Sequence, residues 1–252
     1  MGVVRLTIAY DGTPYAGWAA QPGLRTVQRE MDAALEQILG EPVSLTVAGR
    51  TDAGVHAWGQ VASFALQGMP PDELAHRLNS VLPSAISVIE AAAAPEGFDA
   101  RRDARSRTYC YRVLASRVRH PLEIGRALWW PHAVERTALD RCAAALVGRH
   151  DFTAFTPTQT EHARFEREVI QAEWRTQRLA EPFPGELLEF WIEADAFMRH
   201  MVRVLVGTML ELGGGRRSPE EFEELLRGAP RERAGETAPP HGLYLASVRY
   251  QP

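Results

Sequence analysis

The chain has 252 residues and a mass of 28.0 kDa. Hydrophobic residues make up 45% of it and charged residues 24%, a composition that is ordinary for globular domains and excludes a disordered or fibrous protein. Cys110 and Cys142, its two cysteines, lack CxxC spacing, which argues against a thiol redox motif or an all-cysteine zinc site. The N-terminal apolar run is too short for a signal peptide, and no run approaches the roughly 18 residues of a membrane span, so we expect a cytoplasmic protein.

The formal net charge of −4 hides an uneven distribution of charge. All 28 basic residues are arginine, and seven of them lie between Arg101 and Arg119 with a single acidic residue, Asp103. Arginine forms forked hydrogen bonds with phosphate and stacks on nucleobases. The run is therefore a candidate phosphate track, with a solvated protein surface as the alternative interpretation. Its members are Arg101, Arg102, Arg105, Arg107, Arg112, Arg117 and Arg119.

The apolar pattern of the first half predicts the element order βαββαβ. The helices begin and end at residues that favour helix termini, since Thr26 is a good N-cap and Gly40 a good C-cap. The predicted elements are a strand over 3–10, a helix over 26–38, strands over 43–48 and 60–66, a helix over 71–82 and a strand over 86–92.

The second half predicts the same order with insertions. Two such units indicate an α+β fold built from split-βαβ, RRM-like halves, which we place at residues 1–100 and 101–252. We expect their antiparallel sheets to form a central cleft, and single-stranded RNA is often bound on such sheets. The predicted elements are strands over 107–114, 166–179, 186–197 and 242–250, and helices over 137–147 (closed by Gly148), 199–212 (closed by Gly213) and 219–226.

The loop between the strands over 43–48 and 60–66 carries the densest cluster of polar and small residues. Its sequence from Gly49 to His56 is GRTDAGVH. Arg50 lies two positions from Asp52, and a nearby arginine keeps a carboxylate ionised. An ionised carboxylate held in position can serve as a nucleophile. The alternative from these residues alone is a structural loop in which Asp52 forms a cap and Arg50 balances its charge.

With this loop, the chain resembles the tRNA pseudouridine synthase A family over nearly its whole length. The loop is similar to the family's signature, and further blocks follow in family order. One departure is Ala19-Ala20, which follows Trp18 where the family usually has glutamine. The matching blocks are Tyr10-Asp11-Gly12 with Tyr15, Gly17 and Trp18, Thr26-Val27-Gln28, Gly59-Gln60-Val61, Leu78-Asn79 with Leu82-Pro83, Phe98 to Tyr111, Asp151-Phe152 with Phe155, Phe197 to Arg203, and Gly242 to Leu245.

The resemblance implies that the protein is an isomerase that converts uridine to pseudouridine in the tRNA anticodon stem-loop, at positions 38–40. Asp52 then corresponds to the nucleophile, Tyr109 to the active-site tyrosine and Arg203 to the basic residue that pairs with the aspartate. The residues alone leave other interpretations open. From the residues alone, Tyr109 is a strand residue packed in the core, with Tyr111 as a rival on the same strand face. The alternative for Arg203 is a helix-surface arginine, although its neighbours Val202, Val204, Leu205 and Val206 argue against simple exposure.

The resemblance also implies how RNA is bound. Arg50 corresponds to the residue that helps to hold the target base outside its stack, and Arg101, Arg107 and Asn79 are expected substrate-binding residues. The isomerisation needs neither a redox change nor a group donor, and the chain lacks dinucleotide, P-loop and HExxH motifs, so we expect no cofactor and no metal. The family forms homodimers, so we expect a homodimer that binds tRNA.

Three other functions are compatible with these residues. The first is a pseudouridine synthase that acts on another RNA site, which the Ala19-Ala20 departure keeps open. The second is a non-catalytic tRNA-binding protein, although such a protein needs no nucleophile. The third is a nucleoside hydrolase, which would need a second carboxylate on the other side of the scissile bond.

Overall fold

The computed structural model describes residues 2–66, 71–160 and 163–251. It separates the chain into two compact units, Met1–Arg105 with Tyr244–Pro252, and Ser106–Leu243. Helices and mostly antiparallel strands make up both units, which confirms the predicted α+β class. Among the described residues, no helix is both long enough and apolar enough to cross a bilayer.

The elements follow the predicted order, with two additional short strands in the second unit. In chain order they are β1 Gly2–Tyr10, α1 Val27–Leu39, β2 Thr46–Val47, β3 His56–Leu66, α2 Pro71–Val81, β4 Ile86–Ala94, β5 Ser106–Ala115, β6 Leu128–Trp130, α3 Arg136–Leu146, β7 Gly148–Asp151, β8 Glu166–Arg178, β9 Glu186–Ala194, α4 Met201–Gly213, α5 Pro219–Leu225 and β10 Leu243–Arg249.

The first unit is organised around β1. This strand pairs antiparallel with β3 on one side and with β4 on the other. Val4, Leu6, Ile8 and Tyr10 are buried, whereas the residues between them are only half-buried. This is the alternation of a strand with one face on the core. β3 also pairs antiparallel with β2 and parallel with β10.

Helix α1 has the ends that its sequence predicts. The Thr26 hydroxyl accepts a hydrogen bond from the Arg29 N–H at 3.4 Å, and Gly40 closes the helix with a φ of 79°. Such a left-handed cap favours glycine because glycine has no Cβ. The buried side chains, Met31 and Leu35 among them, are three or four residues apart and form one apolar stripe.

The second unit contains an antiparallel sheet in the order β5–β9–β8–β7, with β6 added in parallel to β5. Helix α3 packs on β8 and on α4, and α4 in turn packs on β5. Gly207 brings α4 close to the segment before β10, because a Cβ there would lie 1.9 Å from the Glu236 carbonyl oxygen.

Several predicted boundaries were wrong. β3 begins at His56 rather than at residue 60, because long-range pairing of Ala57 with Tyr10 extends the ladder. The strand predicted over 43–48 shortens to β2. β9 ends at Ala194 rather than at residue 197, since the Asp195 carboxylate accepts the Ala196 N–H at 2.7 Å and bends the chain. Gly148 begins β7 instead of capping α3.

Candidate active site

The loop over residues 48–55, between β2 and β3, carries Arg50 and Asp52. Asp52 is half-buried and Arg50 is exposed. The loop is short, and at both ends it continues into strands of the same sheet. Its position is thus determined by the sheet on both sides and by the segments that pack over it.

Residues Gly12–Trp18, which we call the strap, hold this loop through backbone contacts. The Trp18 N–H donates to the Thr51 carbonyl at 3.0 Å, and the Gly54 N–H donates to the Tyr15 carbonyl at 3.3 Å. Backbone hydrogen bonds on both sides of Asp52 therefore restrain the loop independently of its side chains.

Two glycines of the strap make this close approach possible. A Cβ on Gly17, whose φ is +97°, would lie 2.8 Å from the Thr51 carbonyl oxygen. A Cβ on Gly12 would lie 2.0 Å from the Val55 carbonyl oxygen. No side chain larger than hydrogen fits at either position without moving the Asp52 loop.

The first turn of α1 anchors the strap in turn. The N–H of Val27 donates to the Gly17 carbonyl at 3.1 Å, and the N–H of Gln28 donates to the Trp18 carbonyl at 3.0 Å. These N–H groups have no partner within their own helix, because an α-helix leaves its first donors unsatisfied. Helix, strap and loop therefore form one connected set of hydrogen bonds.

A cluster of buried polar side chains also holds the Asp52 loop in place. The Tyr10 hydroxyl lies 2.8 Å from the Thr51 hydroxyl, and the Gln60 amide donates to the Gly49 carbonyl at 2.7 Å and to the Tyr10 hydroxyl at 3.3 Å. Burial raises the pKa of Tyr10 to about 12, although its hydrogen bonds with Thr51 and Gln60 act in the opposite direction. Tyr10 is therefore neutral near pH 7 and binds the residue that precedes Asp52.

His56 closes the loop at the start of β3. Its buried ring accepts the Gly12 N–H at Nδ1 over 3.1 Å, and the same nitrogen lies 3.2 Å from a carboxylate oxygen of Asp11. The ring also stacks on Tyr244, with centroids 4.6 Å apart.

In the second unit, the structure distinguishes Tyr109 from its rival Tyr111. The Tyr111 ring is fully buried and its hydroxyl donates to the Pro239 carbonyl at 2.8 Å. Burial raises the pKa of this hydroxyl, with Arg203 opposing the shift. Tyr109 is 9% exposed, and its ring packs edge-on against the Phe197 ring, with ring centroids 4.9 Å apart. Tyr111 thus has a structural role.

Arg203 lies on α4 and is half-buried. Its Nε donates to the Ala238 carbonyl at 2.8 Å, and the Ala238 N–H donates back to the Arg203 carbonyl at 3.1 Å. The Nε contact holds the side chain against the 235–238 segment, so Arg203 is not a simply exposed residue of the helix surface.

The predicted binding residues have different surroundings. Arg101 is exposed, whereas half-buried Arg107 donates to the Asp195 carbonyl at 3.1 Å. The Asn79 side chain makes two hydrogen bonds of 2.8 Å with the backbone of Val88, one as donor and one as acceptor. Those bonds account for its place in the fold, and its part in RNA binding stays a prediction.

Tyr10, Thr51 and Gln60 have no role predicted from the sequence. The signal for Gln60 is a long amide side chain inside an otherwise apolar strand, where an unpaired polar group is costly. Tyr10 similarly ends an alternating strand whose other inward side chains are aliphatic. Together, the strap and this polar cluster restrain the loop that carries Asp52, and a carboxylate held in position can serve as a nucleophile.

Comparison with known proteins identifies the family. The model of the family described as tRNA pseudouridine synthase matches residues 6–103 and 142–251. Proteins named tRNA pseudouridine synthase A are 44% identical in Frankia casuarinae, 41% in Myxococcus xanthus and 41% in Syntrophotalea carbinolica. These alignments cover 99%, 98% and 100% of this chain and 89%, 92% and 98% of the relatives. The chain therefore belongs to the tRNA pseudouridine synthase family and is an isomerase of that class.

Among solved structures, a chain of a Cbf5-Nop10-Gar1 complex aligns with 84% of this chain and 44% of its own length. The identity is 12% and the TM-score is 0.36, which is too low to establish a common fold.

Proposed function

We propose that this enzyme converts uridine to pseudouridine in the anticodon stem-loop of tRNA, at positions 38–40, with Asp52 as the nucleophile. The observation that supports it most is the placement of Asp52, the only carboxylate of a loop restrained by the strap and by the Tyr10–Gln60 cluster. The relatives named tRNA pseudouridine synthase A align over nearly all of the chain, this loop included.

The reaction is an isomerisation without loss or gain of atoms. The C1′–N1 bond of the uridine breaks, the uracil turns, and C5 joins C1′. The proton on C5 leaves and N1 ends protonated. Asp52 contributes by attacking C1′ or by removing a sugar proton as the base departs. In either role the carboxylate must be ionised and held in position, and the restrained loop supports the second condition.

Tyr109 and Arg203 act in the same reaction. The Tyr109 ring stacks on the uracil and its hydroxyl serves proton transfer at C5. In support, the Tyr111 ring is fully buried and its hydroxyl binds Pro239, whereas Tyr109 keeps 9% of its surface accessible. Arg203 supplies a positive charge that favours the ionised form of the carboxylate.

The target base must leave its stack before it reacts, at a cost of about a few kcal/mol. Exposed Arg50 holds the extruded conformation, and Arg101, Arg107 and Asn79 contact the RNA around it. The enzyme works as a homodimer in the cytoplasm. These assignments extend the family resemblance, and the exposure of Arg50 and Arg101 supports an RNA contact of these two residues.

The decisive experiment incubates the purified protein with an unmodified tRNA transcript and maps pseudouridine at nucleotide resolution. Asp52→Asn is compared with the wild type and with Asp72→Asn, which changes an exposed aspartate on α2. We expect product at positions 38–40 from the wild type and from Asp72→Asn. For Asp52→Asn we expect a rate at least about 10³-fold lower, since a nucleophile is removed.

Each alternative has its own signature in this experiment. Product from Asp52→Asn at the wild-type rate would overturn the assignment of the nucleophile. Product at another uridine would keep the chemistry and change the target site. Release of free uracil would indicate a hydrolase, and binding of the transcript without any product would indicate a non-catalytic protein.

A further inference from the structure

Trp58 differs from every other aromatic residue of this chain. All Trp, Tyr and Phe residues lie within the described ranges, and Trp58 is the only one of them that is exposed, with 38% of its surface accessible. A single exposed apolar side chain is common on protein surfaces. The position of Trp58 next to the Asp52 loop and its packing are what call for an explanation.

Trp58 is the outer member of a column of three rings in the first unit. Its ring centroid lies 4.4 Å from that of Tyr244 with an interplanar angle of 26°, and Tyr244 lies 4.6 Å from His56 at 20°. His56 and Trp58 both come from β3, and both rings stack on Tyr244. Tyr244 stands opposite His56 in the parallel pairing of β10 with β3.

The column is exposed at one end only. His56 is 3% accessible and Tyr244 5%, compared with 38% for Trp58. His56 is the residue that closes the Asp52 loop and accepts the Gly12 N–H. The column therefore runs from the end of the candidate catalytic loop to the surface of the unit.

The backbone on both sides of the column is closely packed. Gly59, which follows Trp58, allows β10 to approach, because a Cβ there would lie 2.6 Å from the Ala246 carbonyl oxygen. Tyr244 and Leu245 are hydrogen-bonded to β3 in register. An indole held in this way loses little conformational entropy when a ligand stacks on it, so stacking is more favourable than on a mobile side chain.

We infer that Trp58 is a base-stacking residue for the RNA substrate, and that an unpaired nucleotide next to the reacting uridine stacks on its indole. This inference rests on the proposed function for the identity of the ligand. RNA loops are recognised largely through unstacked bases that pack on aromatic side chains. Such stacking tolerates any base, because every base has a π-face. Trp58 would thus help one enzyme to bind substrates that differ in loop sequence.

The test measures the affinity of the wild type, Trp58→Ala and Trp58→Phe for an unmodified anticodon stem-loop RNA at several salt concentrations. Ile89→Ala is the matched control, since Ile89 is 60% exposed on β4 of the same unit. We expect Trp58→Ala to weaken binding by roughly tenfold or more. Trp58→Phe should retain most of the affinity, and Ile89→Ala all of it.

The salt dependence distinguishes stacking from a phosphate contact. Loss of a phosphate contact lowers the slope of log affinity against log salt by about 0.7–0.9, whereas loss of a stacked base leaves that slope unchanged. We therefore expect parallel lines for the wild type and Trp58→Ala. The inference would be overturned if Trp58→Ala had a lower slope than the wild type, or if the two bound the RNA with equal affinity. It would also be overturned if Trp58→Phe bound as weakly as Trp58→Ala. A Trp58→Ala defect confined to self-association would overturn it as well, because this would indicate a protein contact.

Measuring pseudouridine in the same samples separates this inference from the proposed function. If the wild type forms pseudouridine and Trp58→Ala binds equally well, stacking is wrong and the proposed function stands. If the wild type binds the RNA but forms no product, the proposed function is wrong, and the affinity comparison still decides stacking. A shared thermal unfolding temperature of Trp58→Phe and the wild type shows that the column still folds.

Discussion

At the scale of single residues, buried polar side chains decide where the candidate nucleophile stands. Tyr10 is 4% exposed, yet its hydroxyl is paired with Thr51 and within reach of Gln60. A buried hydroxyl without partners would be costly, so these bonds specify one arrangement of the cluster. Since Thr51 precedes Asp52, the cluster couples the core of the sheet to the loop.

Tyr10→Phe tests this coupling through its pH dependence. The pKa of Tyr10 rises from its usual value of 10.0 to about 12 on folding. The stabilisation is therefore complete below pH 10 and is lost as pH rises from about 10 to 12, because the unfolded state releases its proton first. We expect the stability difference between wild type and Tyr10→Phe to shrink by on the order of 2–3 kcal/mol over this range.

The measurement is denaturant unfolding of both proteins at pH values from 8 to about 12. Other tyrosines titrate in both proteins, so the difference between the two curves isolates Tyr10. A difference that stays constant with pH would show that Tyr10 titrates normally in the folded state.

At the scale of elements, the strap holds the Asp52 loop although it contains none of the predicted catalytic residues. It lies between the first turn of α1 and the Asp52 loop and hydrogen-bonds to both. Gly12 and Gly17 allow the contact because their missing Cβ atoms leave room for backbone carbonyls of the loop. The strap therefore links the position of α1 to the position of the loop that carries Asp52.

Gly17→Ala tests the strap, with Gly23→Ala as its control. Both glycines have positive φ, +97° and +73°, so alanine is strained at both positions by roughly 1–2 kcal/mol. Only the added Cβ at position 17 would clash with a backbone atom, the Thr51 carbonyl oxygen, since a Cβ at Gly23 meets nothing within 4 Å. We expect Gly17→Ala to be the less stable variant and to slow pseudouridine formation at least about tenfold more, since small displacements of reacting groups are costly.

Single-turnover rates and unfolding free energies of the two variants provide the comparison. Equal rates for Gly17→Ala and Gly23→Ala, with both proteins folded, would contradict a positioning role for the strap.

At the scale of the whole molecule, the arginine run predicted from sequence is not a uniform basic surface. The Arg112 guanidinium donates to both Glu123 carboxylate oxygens, at 2.9 and 3.2 Å, and lies 3.5 Å from Glu189. Arg119 lies over the Trp129 ring, 4.4 Å from its centroid. Because its charge is already balanced within the second unit, we expect Arg112 to make no phosphate contact.

The salt dependence of RNA binding distinguishes the arginines of this run. Replacing exposed Arg101 by alanine is expected to reduce the slope of log affinity against log salt by about 0.7–0.9, the value for one phosphate contact. Arg112→Ala is expected to leave the slope unchanged and to lower stability instead, because two carboxylates lose their partner. An equal reduction for both variants would mean that Arg112 exchanges Glu123 for phosphate on binding.

The sequence by itself determined those features that depend on residues a few positions apart. The alternation of β1, the cap residues Thr26 and Gly40 of α1, and the polar loop that carries Asp52 all follow from local spacing and residue type. The mixed α+β class follows from the order of such elements. Local rules suffice here because the hydrogen bonds and apolar stripes concerned lie within one helix or one strand.

Several side chains look alike in the sequence as candidates for the site. Only the tertiary structure decided which of them already bind another part of the protein. Tyr111 is bound to Pro239, Asn79 to Val88 and Arg112 to Glu123 through folding of the whole chain. The early start of β3 likewise depends on pairing with distant strands. No local pattern announces these contacts, because the free energy that favours them comes from burial and from partners that are close in space and mostly distant in sequence.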